Sequence, residues 1–234
     1  MQTNTTIIEQ FSNTAASYDQ KNQPLSAIAT SLHFLMGLIL QRAPAQARVL
    51  CVGVGTGAEI LSLAQSFPEW TFAGVDPASG MLEVCRERLS QAGLLDRCKL
   101  LHGYAQDLPA DEHYDVVLSI LVAHFVKREE RPDFYQAMWQ RLRNHGFFVT
   151  AELSYDLSSD SFPYMLTNWE AVQRLMGASA ESVQNLPTML REHLTVISPA
   201  DTAALLKQCG IEVPVQFYQA LMISGWYGIK GGES

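Results

Sequence analysis

Residues 48–60, RVLCVGVGTGAEI, constrain the fold more than any other part of the chain. Val49, Leu50, Cys51 and Val52 form an unbroken apolar run, which reads as a strand buried on both faces in the middle of a parallel sheet. Gly53, Gly55 and Gly57 follow at alternate positions and lead into residues with helical spacing. Side chains on such a turn would hold a ligand away from the backbone. Glycines let it approach the sheet's carboxyl edge and the outward-pointing amides of the helix N-terminus. A polar ligand is expected there.

The same alternation continues downstream. Short strands are predicted at residues 48–53, 70–76, 98–102, 114–120 and 146–152, with helices at 58–66, 79–91 and 131–143 between them. Strand, helix, strand in repetition calls for a parallel sheet covered on both faces through right-handed crossovers, so the fold class is α/β and Rossmann-like. Residues 1–45 read as a helical cover that stops at Pro44, and residues 154–196 as a helical lid inserted over the site and broken at Pro187. A further helix over 198–209 opens with Ser-Pro-Ala-Asp and closes at Gly210. Two last strands, at about 213–218 and 221–229, are joined too tightly for a helical crossover and must pair antiparallel at the carboxyl-terminal edge. The 234 residues suit one domain over 1–234.

Composition removes several classes. Hydrophobic residues make up 47% of the chain and charged residues 17%, so it has enough apolar surface to fold. A formal charge of −8 and an isoelectric point near 5.2 argue against direct binding to nucleic acid, which rests on clustered Lys and Arg. Arg86, Arg88, Arg97 and Lys99 do cluster, but they alternate with Glu83 and Glu87 as on a solvated helix face. Cys51, Cys85, Cys98 and Cys209 are widely spaced and read as reduced thiols, which fits a cytoplasmic protein. The amino terminus lacks the pattern of a secretory signal, and no apolar run reaches the length of a membrane span.

The glycine turn alone leaves the ligand open, because Gly53, Gly55 and Ala58 also satisfy the G-x-G-x-x-G/A spacing of dinucleotide enzymes. Asp76, closing the second strand in AGVDPASGM, can take both ribose hydroxyls of any adenosine ligand. Against a dehydrogenase, no tyrosine in the chain has a lysine four positions on. The antiparallel terminal strands and the segment FSNTAASYD, of the form F-x-x-x-A-x-x-Y-D, favour another family.

On those motifs residues 11–230 resemble the class I S-adenosylmethionine (SAM) dependent methyltransferases, of the small-molecule type. The resemblance implies SAM as cofactor, with Gly53, Gly55 and Gly57 around its amino-acid end, Asp76 on the ribose, and Pro77 and Met81 beside the adenine; Tyr18 is a further candidate for contact with SAM. The family's G-D-A-x-D-L-P element is Gly103 to Pro109 here. Tyr104 replaces its usual aspartate, which leaves the Ala105 amide and the Gln106 side chain as polar partners for adenine. The L-x-P-G-G turn is altered to Leu142-Arg143-Asn144-His145-Gly146. The carboxyl half is also similar in layout to carboxy-SAM synthase, although Pro187 precedes Thr188-Met189-Leu190 where that family carries an arginine.

Methyl transfer to a small-molecule acceptor is therefore expected. The alternatives are a carboxy-SAM synthase-like enzyme, marked by Arg174 or Arg191 lining the site, and a SAM-binding sensor or scaffold without catalysis. If the acceptor needs a general base, His124 and Glu152 lie at the carboxyl ends of the fourth and fifth strands. Tyr18, Tyr155, Tyr164 and Trp169 are candidates for an aromatic wall over the acceptor. His33 reads as a core histidine on an apolar helix, and the remaining histidines lack metal-ligand spacing, so no metal is expected. A homodimer is expected from the exposed carboxyl-terminal edge.

Overall fold

The computed structural model describes residues 5–232, with Thr5 by its backbone alone. Residues 1–4 of the expected cover and the last two residues of the expected domain lie outside the described residues. The strands are β1 (Arg48–Val52), β2 (Thr71–Asp76), β3 (Cys98–His102), β4 (Tyr114–Ile120), β5 (Leu142–Leu153), β6 (Val215–Ala220) and β7 (Ile223–Ile229). Among the described residues they form one sheet in the order β3-β2-β1-β4-β5-β7-β6. β1 to β5 pair in parallel, while β7 is antiparallel to both β5 and β6. The expected terminal antiparallel pairing is present, with β7 inserted between β5 and the edge strand β6.

The helices are α1 (Thr5–Asn22), α2 (Ser26–Leu40), α3 (Ala58–Ser66), α4 (Ser79–Gln91), α5 (Arg131–Gln140), α6 (Phe162–Leu175), α7 (Ala180–Gln184), α8 (Leu186–Thr188) and α9 (Pro199–Gln208). Consecutive residues of the inner strands feed opposite cores. Val49 and Cys51 pack with Leu32 and Met36 of α2 and Ile60 of α3, whereas Leu50 and Val52 pack with Phe134 and Met138 of α5 and Leu206 of α9. A strand with both faces buried must be apolar at every position, which is why β1 shows no alternation.

Local chemistry fixes the helix ends. At α9 the Ser198 hydroxyl accepts the Asp201 N–H at 3.1 Å and Pro199 occupies the first turn. The chain leaves through Gly210 at φ +106°, with the Ile211 N–H bonded to the Leu206 carbonyl. Residues 142–146 do not form a separate turn. They are absorbed into β5 through a register shift opposite Tyr114 and Val116, with His145 at φ +63° and its N–H on the Lys230 carbonyl.

Two expectations about the covering segments change. The stretch Thr6–Leu40 is long and apolar enough to cross a membrane, with a mean hydropathy of 1.4 over its best window, so the reading that no run reaches that length does not hold. In this fold the stretch is broken at residues 23–25: α1 packs on α4, and α2 packs its Leu32, Met36 and Leu40 into the core layer with Val49 and Cys51. Of the expected lid over 154–196, Phe162, Trp169, Val172, Leu186 and Leu190 are buried in the α2 and α3 core layer, and none of its residues lines the two cavities described below.

Candidate active site

Two adjoining cavities open at the carboxyl edge of the sheet, where β1 and β4 end. The first, of about 120 Å³, is bounded by Asp76, Pro77, Ala78 and Met81 beneath, by Val122 and Phe125 at one side, and by Ile7, Ile8, Phe11 and Tyr18 of α1 above. The second, of about 360 Å³, extends between α2 and the N-terminus of α3 and carries Leu25, Ile28, Ala29, Leu32 and Ile223 on its apolar wall. Tyr18, Gly53, Gly55, Ile120 and Leu121 line both, so a single elongated ligand could run from one into the other.

The three glycines have different jobs. Gly55 stands at φ +51° with nothing within 4 Å of where a Cβ would be, so its bare backbone faces open cavity. Gly53, at φ +70°, lies too close to Val122 to carry a side chain. Gly57 lines neither cavity. It is the left-handed residue that starts α3, and a Cβ there would come within 2.7 Å of the Cys85 Sγ. The place given to Gly57 at the ligand is thus corrected to helix packing.

Asp76 ends β2 with 7% exposure. Its Oδ2 accepts the Gly55 N–H at 2.9 Å and its Oδ1 accepts the Ala78 N–H at 2.8 Å. Burial pushes this carboxyl up, while those two amides and His102 pull it down. Each oxygen keeps a lone pair for a hydroxyl, and the same carboxylate fixes the glycine turn. Across the cavity the Tyr18 hydroxyl is pushed up to about 12 by burial and then by the charges of Glu59, Asp19 and Asp76. Leu121 holds φ +60°, which costs a branched residue on the order of 1–3 kcal/mol, and its N–H is tied to the Ala151 carbonyl at 2.7 Å.

Asp19 latches α1 over these cavities. Its Oδ1 accepts the Thr56 hydroxyl at 2.8 Å, and its Oδ2 lies 2.9 Å from Arg88 of α4, which also donates to the Thr56 carbonyl at 3.0 Å. Phe11 meets Phe125 edge-on at 5.1 Å. Ile7, Phe11, Ala15 and Tyr18 form one stripe at helical spacing, a signal legible in the sequence and missed there.

A model of a methyltransferase domain matches residues 49–146. The matched residues include the glycine turn and Asp76, which already stand together at the cavity. The chain belongs to the class I SAM-dependent methyltransferases. It is 31% identical over 174 residues to a fatty-acid O-methyltransferase of Mycolicibacterium smegmatis, covering 67% of this chain and 61% of that protein. A carboxy-SAM synthase of Campylobacter lari is 22% identical over 187 residues, covering 79% of this chain and 78% of that one. In fold, the chain is similar to an O-methyltransferase family protein of Burkholderia thailandensis, with a TM-score of 0.63, 12% identity and coverage of 87% of this chain and 57% of that one. It is likewise similar to PigF with S-adenosylhomocysteine, at 0.65 and 17%, covering 96% and 61%. The chain spans about three fifths of the length of the fatty-acid O-methyltransferase and of these two structures.

SAM is this family's cofactor, and the residues present fit it. The open space at Gly55 admits a ligand against bare backbone, Asp76 has acceptor capacity for ribose hydroxyls, and Pro77 and Met81 give an apolar slot for a purine. Ala105 and Gln106 stand outside the lining of both cavities, Ala105 buried in the core with Leu50 and Val52 and Gln106 exposed. The Tyr104 N–H is occupied by Asp107 at 2.8 Å.

The two candidate bases do not reach the cavities either. His124 is 4% exposed, and its Nδ1 accepts the Leu153 N–H at 3.3 Å. Burial, and then the charge of Arg131, holds its pKa down to about 3, so it is a neutral acceptor that closes the end of β5. Glu152 is fully buried with its Oε2 2.8 Å from Arg131 and its Oε1 accepting the Thr202 hydroxyl at 3.0 Å. Burial pushes Glu152 up against the opposing pull of Arg131. Arg131 also donates to the Thr195 carbonyl, so the pair joins α5, β5 and α9 to the end of the insertion. Neither residue faces the crevice as expected: Glu152 leaves β5 towards Arg131 of α5 and Thr202 of α9, and His124, just past β4, turns its ring back onto the Leu153 N–H at the end of β5.

Of the expected aromatic wall, Tyr18 alone lines the cavities. Trp169 is core, Tyr164 is 78% exposed and Tyr155 bonds Ser161 at 2.7 Å. Arg174 pairs with Glu170 at 3.0 Å and Arg191 lies over the Phe162 ring at 4.9 Å. Neither lines the cavities. His33, read as core, lines the second cavity.

Proposed function

We propose that the chain transfers a methyl group from SAM to a small, apolar-bodied acceptor, with the cofactor's adenosine beneath α1 and the acceptor in the chamber under α2. The observation that carries this reading is the bare Gly55 backbone beside Asp76, opening into both cavities. When bound, SAM supplies an electrophilic methyl group on a sulfonium. The chain's own part is to hold the nucleophile in line with that group and to keep water out, which is where most of the barrier reduction in such a displacement arises.

Gly53 and Gly55 set the approach of the backbone, and Asp76 orients the sugar edge. The apolar wall of the chamber, Leu25, Ile28, Leu32 and Ile223, excludes water and suits an alkyl or aryl body. That wall agrees with a fatty-acid O-methyltransferase as a relative. Among the described residues no arginine or lysine lines the chamber, which favours plain methyl transfer over formation of carboxy-SAM.

Isothermal titration with SAM, S-adenosylhomocysteine and NADH, on the wild type and Asp76→Ala, tests the cofactor. Micromolar binding of both SAM species is expected, with no NADH signal. Removing an ionised hydrogen-bond acceptor costs about 1.5–3 kcal/mol, so the variant should bind at least about 10-fold more weakly. NADH binding in place of SAM would return the glycine turn to the dinucleotide reading.

A further inference from the structure

The basic cluster of Arg86, Arg88, Arg97 and Lys99 does not form one solvated face. Arg86 stays on the exposed side of α4 and Arg88 turns to Asp19 and Thr56 at the latch of α1. Arg97 and Lys99 instead meet Arg48 around a third cavity, of about 320 Å³. Arg48, Thr71, Cys98 and Tyr114 line it and are the first residues of β1, β2, β3 and β4, so it lies at the amino edge of the sheet, opposite the glycine turn. β1 is five residues long, which at about 3.3 Å per residue sets Arg48 about 16 Å from Gly53.

The cations at this cavity are unequally used. Lys99 lies 3.1 Å from Oε1 of Glu112, and the Tyr114 hydroxyl donates to Oε2 at 2.7 Å, so that carboxylate is taken. Arg97 donates to the carbonyls of Ala64, Phe67, Pro68 and Trp70, which fix it and leave its charge without a carboxylate. Arg48 is half-buried, with its guanidinium carbon 5.1 Å from the centre of the buried Tyr114 ring. Among the described residues that guanidinium makes no hydrogen bond and no ion pair, and the Thr71 hydroxyl beside it has no partner either. The remaining acid of the lining, Asp96, is exposed to water, which screens it. A chain of net charge −8 thus keeps two uncompensated arginines on one small cavity.

An arginine fork with unfilled donors matches the oxygens of a phosphate group, and two cations facing one space suit a dianion better than a single carboxylate. We infer that this cavity binds the phosphate group of a small metabolite, with Arg48 donating to two of its oxygens, Thr71 donating to a third and Arg97 supplying fixed positive charge. The site is separate from methyl transfer, because the sheet lies between it and the glycine turn.

The test is calorimetric, in a dilute phosphate-free buffer, with glycerol 1-phosphate, inorganic phosphate and acetate titrated into the wild type, Arg48→Gln and Thr71→Val. Glycerol 1-phosphate should bind the wild type about 10-fold more tightly than acetate does, and lose about 10-fold in Arg48→Gln and about 3-fold in Thr71→Val. S-adenosylhomocysteine, bound at the other edge, should keep its affinity to within about 2-fold in both variants. Tighter binding of the ester than of inorganic phosphate assigns the site to an organic phosphate and equal binding to the free ion; both support it. Absence of phosphate binding to the wild type, undiminished binding by Arg48→Gln, or acetate bound as well as phosphate overturns the inference, and a parallel loss of S-adenosylhomocysteine overturns the separateness of the site. If Arg48→Gln does not fold, amide NMR of the wild type decides: glycerol 1-phosphate should shift Thr71 and Cys98 and leave Gly53 and Gly55 in place, and the reverse pattern overturns the assignment.

Discussion

Glu152 shows how a residue with the right chemistry in the right strand can still belong to the scaffold. Its carboxylate neutralises Arg131 inside a core with no solvent access, and its second oxygen takes the Thr202 hydroxyl. Breaking a buried pair from one side strands the other charge and costs about 3–5 kcal/mol. At about 2–4 °C per kcal/mol for a chain of this size, Glu152→Gln should lower the melting temperature by roughly 6–20 °C. Its affinity for S-adenosylhomocysteine should stay within a few-fold of wild type at a temperature where it is folded. A scan of melting temperature together with calorimetry checks both, and a stable variant that had lost the ligand would return Glu152 to the site.

At the scale of elements, the position of α1 decides whether the adenosine cavity has a roof. α1 meets α4 at a point where neither helix has a side chain to spare: a Cβ on Gly80 would clash with the Ser12 carbonyl and come within 2.9 Å of the Ser12 Cα. Asp19, Thr56 and Arg88 then fix the far end of α1. Gly80→Ala forces the helix backbones apart, and overpacking of this kind costs about 1–3 kcal/mol. Because Ile7, Ile8 and Phe11 move with α1, the variant should lose about 10-fold or more in SAM affinity by calorimetry while its sheet core stays folded by circular dichroism. Unchanged affinity would mean that α1 does not form the roof in solution.

At the scale of the whole molecule, buried His124 links stability to pH. Its folded pKa of about 3 lies below the ordinary 6.5, so between those values the unfolded chain binds a proton that the folded chain does not. Stability from this group is complete above pH 6.5 and falls as the pH drops towards 3, by about 1.4 kcal/mol per unit. Urea unfolding at pH 7 and pH 5 should therefore show a larger loss for the wild type than for His124→Asn, by roughly 2 kcal/mol. Equal losses would place a charged or solvated imidazole at this position.

The sequence by itself determined the sheet, the crossovers and the glycine turn that stands against Asp76. A strand buried on both faces must be apolar at every position, a turn against a ligand must be glycine, and Asp76 is fixed at a strand end by its place in the chain. Such features are local and leave a local signature. Tertiary structure alone decided which polar groups face the cavity. Whether His124, Glu152 or His33 points into the site depends on how β5, α2 and α3 pack on one another, and one helical turn of displacement or one residue of strand register reverses the outcome. The sequence placed His124 and Glu152 near the acceptor and His33 in the core. Packing put the first two behind β5 and the third, with Glu59, at the wall of the cavity.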